Sequence, residues 1–513
     1  MSVIAIDFGN RNTAIARWHI ATNQPELIKL PGISCPSTYL IPSLLYVQDA
    51  ASEKCLIGQQ VIDQGKLIPN ARLFQQTKRH LSTHIGINPK LDQVDVSPEL
   101  AGNFFLKKII SLVRSHQIEV SQLIFTMPIL AQERYLQWLQ VLAKQISFSP
   151  AKVIDESTAA ALGYAVAEPG SLILAIDFGA GTIDLALIRL PRNFNSASPS
   201  DTQVEVIAKV GAFLGGEEID RWLVEDYCQR TSQKSNRSFE KAEINLLYTL
   251  MERIKIQLST QDQAEEVLFN SVTSDCEQIL YQRSQLEQIL ETRGFYQDLQ
   301  SLLEDLLYRA KTRGILKIDI QQVVMVGGTC LIPSVQDYIA KYFRRDRCHS
   351  SDPFGAVVKG ALHFAKMQVK DTLVHGYALR YWQNQPPQWC HQLIFPKGQI
   401  YPTKQPREII LSCSQPQQTK IELVIGEVCH YHSGLPEIIL EGDRLVTIET
   451  AQSRSEFIPL NQTYQIPLDP PGTIGCDRLK LSFQINPQRQ LCLSVFDLLT
   501  QKILISDRPV TEI

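Results

Sequence analysis

The stretch LILAIDFGAGTIDLALI, residues 172–188, decides the fold. Its pentapeptide AIDFG has already occurred at residues 5–9, inside VIAIDFGNRNTAIA (residues 3–16). Each copy is a short apolar run ended by Asp-Phe-Gly, the pattern of a buried strand. After each turn the chain is apolar again, in TAIARW and TIDLALIRL. Both copies therefore predict a strand–turn–strand hairpin rather than a strand entering a helix. A single Asp-x-Gly turn is ordinary hairpin closure, but a duplicate suggests more. If two related lobes face each other, their hairpins meet across a cleft and their backbone N–H groups make an anion-binding nest. Glycine suits those turns because a Cβ would hold the backbone away from phosphate oxygens. Asp7 and Asp177 at the strand ends would hold hydrated Mg²⁺ against the phosphates, since this hard cation prefers carboxylate and water. The P-loop pattern GxxxxGK[ST] is absent. GAGTID lacks the third glycine of a dinucleotide fingerprint and runs into a strand where that fold needs a helix.

A chain of 513 residues is too long for one core. Further strand signals are PSLLYV (42–47), QLIFTMP (122–128), VEVIAKV (204–210) and QQVVMVGG (321–328). Helical periodicity runs over 98–115, 132–146, 216–230, 241–258 and the long stretch 284–313. PRNFNSASPSDTQ (191–203) reads as a polar loop. Residues 1–368 are thus a mixed α/β body. Beyond VKDTLVHG the texture changes to strands: EIILSCS, TKIELVIGEV, LKLSFQI and LCLSVFDL. Leu479, Leu481, Phe483 and Ile485 share one face, with Lys480, Ser482 and Gln484 on the other. This third is expected to be a separate all-β sandwich.

A net charge of −3 and no basic tract interleaved with aromatics argue against nucleic acid and anionic membrane as partners. No apolar run approaches the roughly 18–20 residues of a membrane helix. MSVIAIDFG enters a strand directly, without the regions of a signal peptide. The eleven dispersed cysteines, with no CxxC pair, read as reduced thiols. The location expected is cytoplasmic.

The ordered motifs IDFGNRNT, IDESTAAALGYA, IDFGAGTID, LGGEEID and VVMVGGTCLIP resemble the ATPase domain of the seventy-kilodalton heat-shock (DnaK-type) chaperones, a member of the actin and sugar-kinase superfold. The resemblance implies a two-lobed ATPase domain with ribonuclease H-like duplicated lobes (lobe I 1–170, lobe II 171–368). It further implies an interdomain linker at 369–375 and a β-sandwich substrate domain at 376–513. LKLSFQINPQRQLCLSVFDLLTQK is similar to that domain's last strands, and the sequence ends about where the family's helical lid would begin.

The implied cofactors are ATP/ADP and Mg²⁺. The first phosphate loop would be Asp7, Gly9, Asn10 and Arg11, where the family usually has two threonines in place of Asn10 and Arg11. The second would be Gly179, Ala180, Gly181 and Thr182, with Ala180 replacing a glycine, and Asp177 and Asp184 beside metal and attacking water. Lys78, in FQQTKR, matches the family's catalytic lysine, and Glu156 its acidic residue near the metal. Gly215, Gly216 and Glu217 would lie near sugar and phosphates, Glu252, Lys255 and Ser259 at ribose and adenine, and Gly327, Gly328 and Thr329 in the last nucleotide loop. Taken alone, Glu252 and Lys255 are a surface ion pair. Ile256 and Leu331 replace two guanidinium groups that stack on adenine, a loss of about 1–2 kcal/mol of cation–π attraction. Pro128 matches a proline that relays nucleotide state, but ILAQERY after it departs from the family's relay.

The implied activity is that of a chaperone with a weak ATPase that binds unfolded or extended polypeptide, served by a J-domain co-chaperone and a nucleotide-exchange factor. A second reading is a nucleotide-dependent adaptor with negligible turnover, in which the β-domain is a docking module. A third is an actin-like filament former or small-molecule kinase, which the β-module and LGGEEID argue against.

Overall fold

The computed structural model describes residues 2–512 apart from positions 20, 69, 84–87, 117, 119, 132, 149–150, 165–167, 192–202, 236–238, 240, 270–275, 366, 385–386, 432–436, 442–443, 449–453 and 488. The loop expected over 191–203 falls almost wholly outside the described residues.

Both AIDFG copies form antiparallel hairpins, Ser2–Phe8 with Asn12–His19 and Leu172–Phe178 with Ile183–Arg189. Each hairpin sits in a sheet of the same design. Ser2–Phe8 pairs in parallel with Val120–Met127, which pairs in parallel with Lys152–Asp155. Leu172–Phe178 pairs in parallel with Gln322–Val326, which pairs in parallel with Cys348–His349. On the other flank each hairpin gains an antiparallel third strand, Gln24–Leu27 or Gln203–Ala212.

The alternation of apolar residues explains how the sheets stack. Ile4, Ile6 and Phe8 enter one core with helix Pro98–Ser115, and Leu172, Leu174, Ile176 and Phe178 enter a second. Ala5 and Ala175, on the opposite faces, enter a third core common to both sheets. Successive strand side chains point to opposite faces, so Asp7 and Asp177 lie on the faces of Ala5 and Ala175, towards the shared layer. Two helices fill that layer, Glu156–Gly163 and Ala356–Phe364. A Cβ on Gly360 would sit 1.7 Å from the Ala159 carbonyl oxygen, and one on Gly163 2.0 Å from that of Ala356. The helices therefore touch backbone to backbone, which only glycine permits at these two positions.

Several expected elements differ in detail. The helical stretch 284–313 is two helices, Arg283–Thr292 and Phe295–Lys311, because Gly294 adopts φ 77° between them. The strand expected over 321–328 ends at Val326, where Gly327 turns the chain with φ 81°. PSLLYV is divided between the short strands Ile41–Pro42 and Leu45–Asp49.

Past Gly376 two four-stranded sheets and a two-stranded one enclose a common core. Leu479, Leu481, Phe483 and Ile485 all lie in it, as their alternation requires. Among the described residues beyond Gly376 the helical structure is a single short turn, Val510–Glu512. Among the described residues no helix is long and apolar enough to cross a membrane.

The segment 369–375 does not run as a loose connection. Gln368–Thr372 is a strand of the second sheet, parallel to Gln203–Glu205 and antiparallel to Ile400–Tyr401. A buried ion triad pins it: Lys209 Nζ lies 2.5 Å from both Asp155 and Asp371, and the Tyr401 hydroxyl donates to Asp371 at 2.7 Å. Burial alone would depress the Lys209 pKa, but the two aspartates outweigh it and hold the pKa above the ordinary lysine value.

A second buried seam joins ILAQERY to the C-terminal sheets. Arg489 Nη2 donates to the Ala131 carbonyl at 3.3 Å, and His375 Nε2 to that of Leu130 at 3.2 Å. The backbone N–H of Glu133 donates to Glu427 at 3.0 Å, and that of Leu491 to Glu133 at 3.3 Å. Two carboxyls thus share one buried pocket with Tyr377 and Arg489. Burial, then the Glu427 charge, pushes Glu133 up to about 8; burial pushes Glu427 up to about 6. Unfolded, both titrate near 4.5. Between the unfolded and folded values the folded state holds more protons, so stability falls as pH rises, from about 4.5 to about 6 through Glu427 and from about 4.5 to about 8 through Glu133, by up to about 1.4 kcal/mol per pH unit for each group. Glu133→Gln is expected to flatten this dependence by close to one proton in denaturant titrations across that range. An unchanged slope would contradict the shared pocket.

Candidate functional site

A cavity of about 370 Å³ opens where the two hairpin turns face each other. It is lined by Asp7, Gly9, Asn10 and Arg11 from the first hairpin and by Asp177, Gly179, Ala180, Gly181 and Thr182 from the second. Lys78, Glu156, Gly216, Glu252, Lys255, Ser259, Gly327, Gly328 and Thr329 complete the residues that sequence reasoning had placed there. Three of its candidates lie outside the lining: Asp184, Gly215 and Glu217. Asp184 stands behind Thr182, whose hydroxyl donates to it at 2.8 Å. It thereby supports a residue that does reach the cavity. Gly215 packs under the second turn, where a Cβ would meet the Ala180 carbonyl oxygen at 2.5 Å. Glu217 ties the rim together, as described below.

The second turn is shaped by the start of helix Gly216–Ser235. Gly216 N–H donates to the Gly179 carbonyl at 3.1 Å and Glu217 N–H to that of Ala180 at 2.8 Å. A trans peptide points its N–H opposite its C=O. The N–H groups of Ala180 and Gly181 are consequently directed away from the helix, on the cavity side of the turn. In the first turn a Cβ on Gly9 would fall 2.1 Å from the Asn12 carbonyl oxygen, so glycine there is a steric requirement.

The floor of the cavity is acidic. Asp7 accepts from the Thr126 hydroxyl at 2.6 Å, and Glu156 is ion-paired with Lys78, which is 8% exposed. Lys78, a Lys-Arg pair member that would ordinarily be solvated, is buried here. Burial opposes its charge, yet Glu156, Tyr135 and Asp7 together raise its pKa above the ordinary lysine value. Desolvation raises Asp7. Burial, then the charges of Asp7 and Asp184, pushes Asp177 up to about 7. Burial pushes Glu156 and Asp184 up to about 8, with the Lys78 charge holding both back. Asp177 and Asp184 are direct cross-strand partners, a like-charge pairing that a strand tolerates only at some cost. Among the described residues no three acidic, histidine or cysteine side chains converge closely enough to hold a metal ion directly.

The rim is a lattice of opposite charges. Arg79 pairs with Glu217 at 2.9 Å and Glu218 at 2.7 Å, and Asn10 Nδ2 donates to Glu217 at 2.5 Å. Arg11 lies 3.3 Å from Glu252, 3.5 Å from Glu217 and 3.8 Å from Asp220. Lys255 pairs with Asp220 at 2.7 Å and donates to the Gly216 carbonyl at 2.8 Å. The ion pair expected between Glu252 and Lys255 is thus redistributed: each has its own partner across the rim. Ile256 and Leu331 line the apolar end, together with Phe213, Pro353 and Phe354. Arg79 and Phe354 were not singled out as site residues from the sequence. Arg79 was visible beside Lys78, whereas Asp-Pro-Phe-Gly at 352–355 looks like any turn.

The model of the Hsp70 protein family matches residues 51–379. The chaperone protein DnaK of Thermosipho africanus (strain TCF52B) is 26% identical over 372 residues, covering 70% of this chain and 58% of that protein. That of Thermotoga maritima is 25% identical over 370 residues, with the same shares. The chain therefore spans less than two thirds of the length of these curated relatives.

Proposed function

Since this chain belongs to the Hsp70 family, we propose that residues 1–368 act as a two-lobed, actin-like ATPase domain that binds and hydrolyses Mg·ATP in the cavity between the hairpins. The β-rich region from Gly376 is then a sandwich that holds unfolded or extended polypeptide by strand addition. A J-domain co-chaperone and a nucleotide-exchange factor belong to the same proposal. One observation carries it: two glycine turns face one cavity, with an aspartate at the end of each strand beneath them.

The donor set fits a hydrated magnesium ion. Burial raises both Asp7 and Asp177, and the Asp7 charge raises Asp177 further, a tension that a divalent cation relieves, and a Mg²⁺ ion usually keeps several of its waters. Bound Mg·ATP would supply the phosphoanhydride bond and its charge. The protein's part is then as follows. Asp7 and Asp177 hold the metal's water shell. The amides of Ala180 and Gly181 cradle phosphate, and Thr182, fixed by Asp184, lines their far side. Asp177, which lines the cavity, would also stand beside the attacking water. Lys78 offsets charge developing at the terminal phosphate. Ile256 and Leu331 offer adenine apolar faces.

Calorimetric titration should show ATP binding that needs Mg²⁺, and Asp177→Asn should keep measurable binding while single-turnover hydrolysis falls by at least about 100-fold. Absence of ATP binding to the wild type would overturn the reading. The adaptor alternative has one observation in its favour: Lys78 is already engaged by Glu156. ATP that binds but is not hydrolysed would select it.

A further inference from the structure

The family's threonine at the second position of the first phosphate loop is Arg11 here, and its surroundings are unusual. Arg79, its neighbour on the rim, is fixed by two directed hydrogen bonds, at 2.9 and 2.7 Å. Arg11 is held differently. Three carboxylates surround it at 3.3 to 3.8 Å, yet its buried Nε makes no hydrogen bond of proper geometry. The guanidinium is retained by charge rather than by direction, so it can turn to another anion without breaking a well-formed bond.

Its charge also matters where it stands. The rim carries four carboxylates, Glu217, Glu218, Asp220 and Glu252, against Arg11, Arg79 and Lys255. Removing Arg11 leaves the mouth of the cavity with one more uncompensated negative charge. At an effective dielectric of about 20, one unit charge about 10 Å from another changes affinity roughly tenfold.

We propose that Arg11 is a specificity-determining residue that makes affinity for a nucleotide rise with its number of phosphates, by neutralising the acidic rim and by swinging from Glu217 and Glu252 onto the incoming polyphosphate. The inference rests on the nucleotide reading above. It assigns to this position a role that a threonine hydroxyl, which is uncharged, cannot perform.

The test is a binding series with adenosine, Mg·ADP and Mg·ATP on the wild type, Arg11→Ala and Arg11→Lys. Affinity of the wild type should climb along the series. Arg11→Ala should weaken ATP about tenfold or more, ADP less, and adenosine by less than about twofold. Arg11→Lys should recover most of the loss and make ATP affinity more sensitive to salt, since an ammonium keeps the charge without the fork. Equal losses for all three ligands, or none, would overturn the assignment while leaving the nucleotide reading intact. A wild type that binds none of the three ends both. Should Arg11→Ala fold poorly, the wild type and Arg11→Lys decide the matter through salt. A 50 to 300 mM titration (about a 2.4-fold change in Debye length) must weaken ATP far more than adenosine.

Discussion

Lys78→Ala is expected to slow single-turnover hydrolysis of Mg·ATP by about 10²–10³-fold, the usual effect of removing one preorganised charge-stabilising group, while ATP affinity changes only a few-fold. The lysine is buried, faces the cavity and is oriented by Glu156. Its loss acts twice. A phosphate bound in the cavity would lose a buried cation of its lining, and Glu156 loses the charge that holds its carboxyl down from a still higher pKa. In the variant the Glu156 carboxyl is pushed further up, so its proton is held more tightly than in the wild type. Lys78→Met, which keeps the packing volume, should be equally slow. A rate within about threefold of wild type in both variants would remove Lys78 from the chemistry, since the loss expected is at least 100-fold.

The second large effect lies away from the cavity. Lys209→Met is expected to destabilise the protein by about 3–5 kcal/mol, the range for breaking a buried ion pair from one side. Asp155 and Asp371 would lose the cation that lies 2.5 Å from both, in a site where the Lys209 side chain is 4% exposed. Asp371 belongs to the strand Gln368–Thr372, so that strand should come away first. Proteolysis near residues 368–376 reports its release, and a denaturant titration reports the loss of stability. The double variant Lys209→Met with Asp371→Asn should regain part of the loss because it removes one of the stranded charges. A single variant within about 0.5 kcal/mol of wild type would show that the triad adds nothing to stability.

The parts of this architecture that were legible in the sequence are those fixed by local pattern. The duplicated AIDFG predicted two hairpins because apolar runs ended by Asp and Gly leave few alternatives. The alternation at Leu479–Ile485 predicted its own buried face. What could not be read depends on contacts between distant segments. Arg11 could be seen to be odd, but its three carboxylate partners come from two helices more than two hundred residues away. KDTLVHG looks like a connection, since nothing local says that Lys209 will claim Asp371. Glu133 belongs to an amphipathic helix, where a glutamate is ordinarily solvated; only the C-terminal sheets make it a buried acid. The break at Gly294 was written in the chain as a glycine within a helical run, a weak signal beside strong periodicity.

The contact between Gly163 and Ala356, and between Gly360 and Ala159, has a mechanical meaning. Where two rods meet with no side chains between them, neither can slide towards the other and there are no rotamers to absorb a shift. The freedom left is rotation about the point of touch. The crossing is thus a fulcrum lying beneath the cavity, and the charged rim sits at the end of the lever arm.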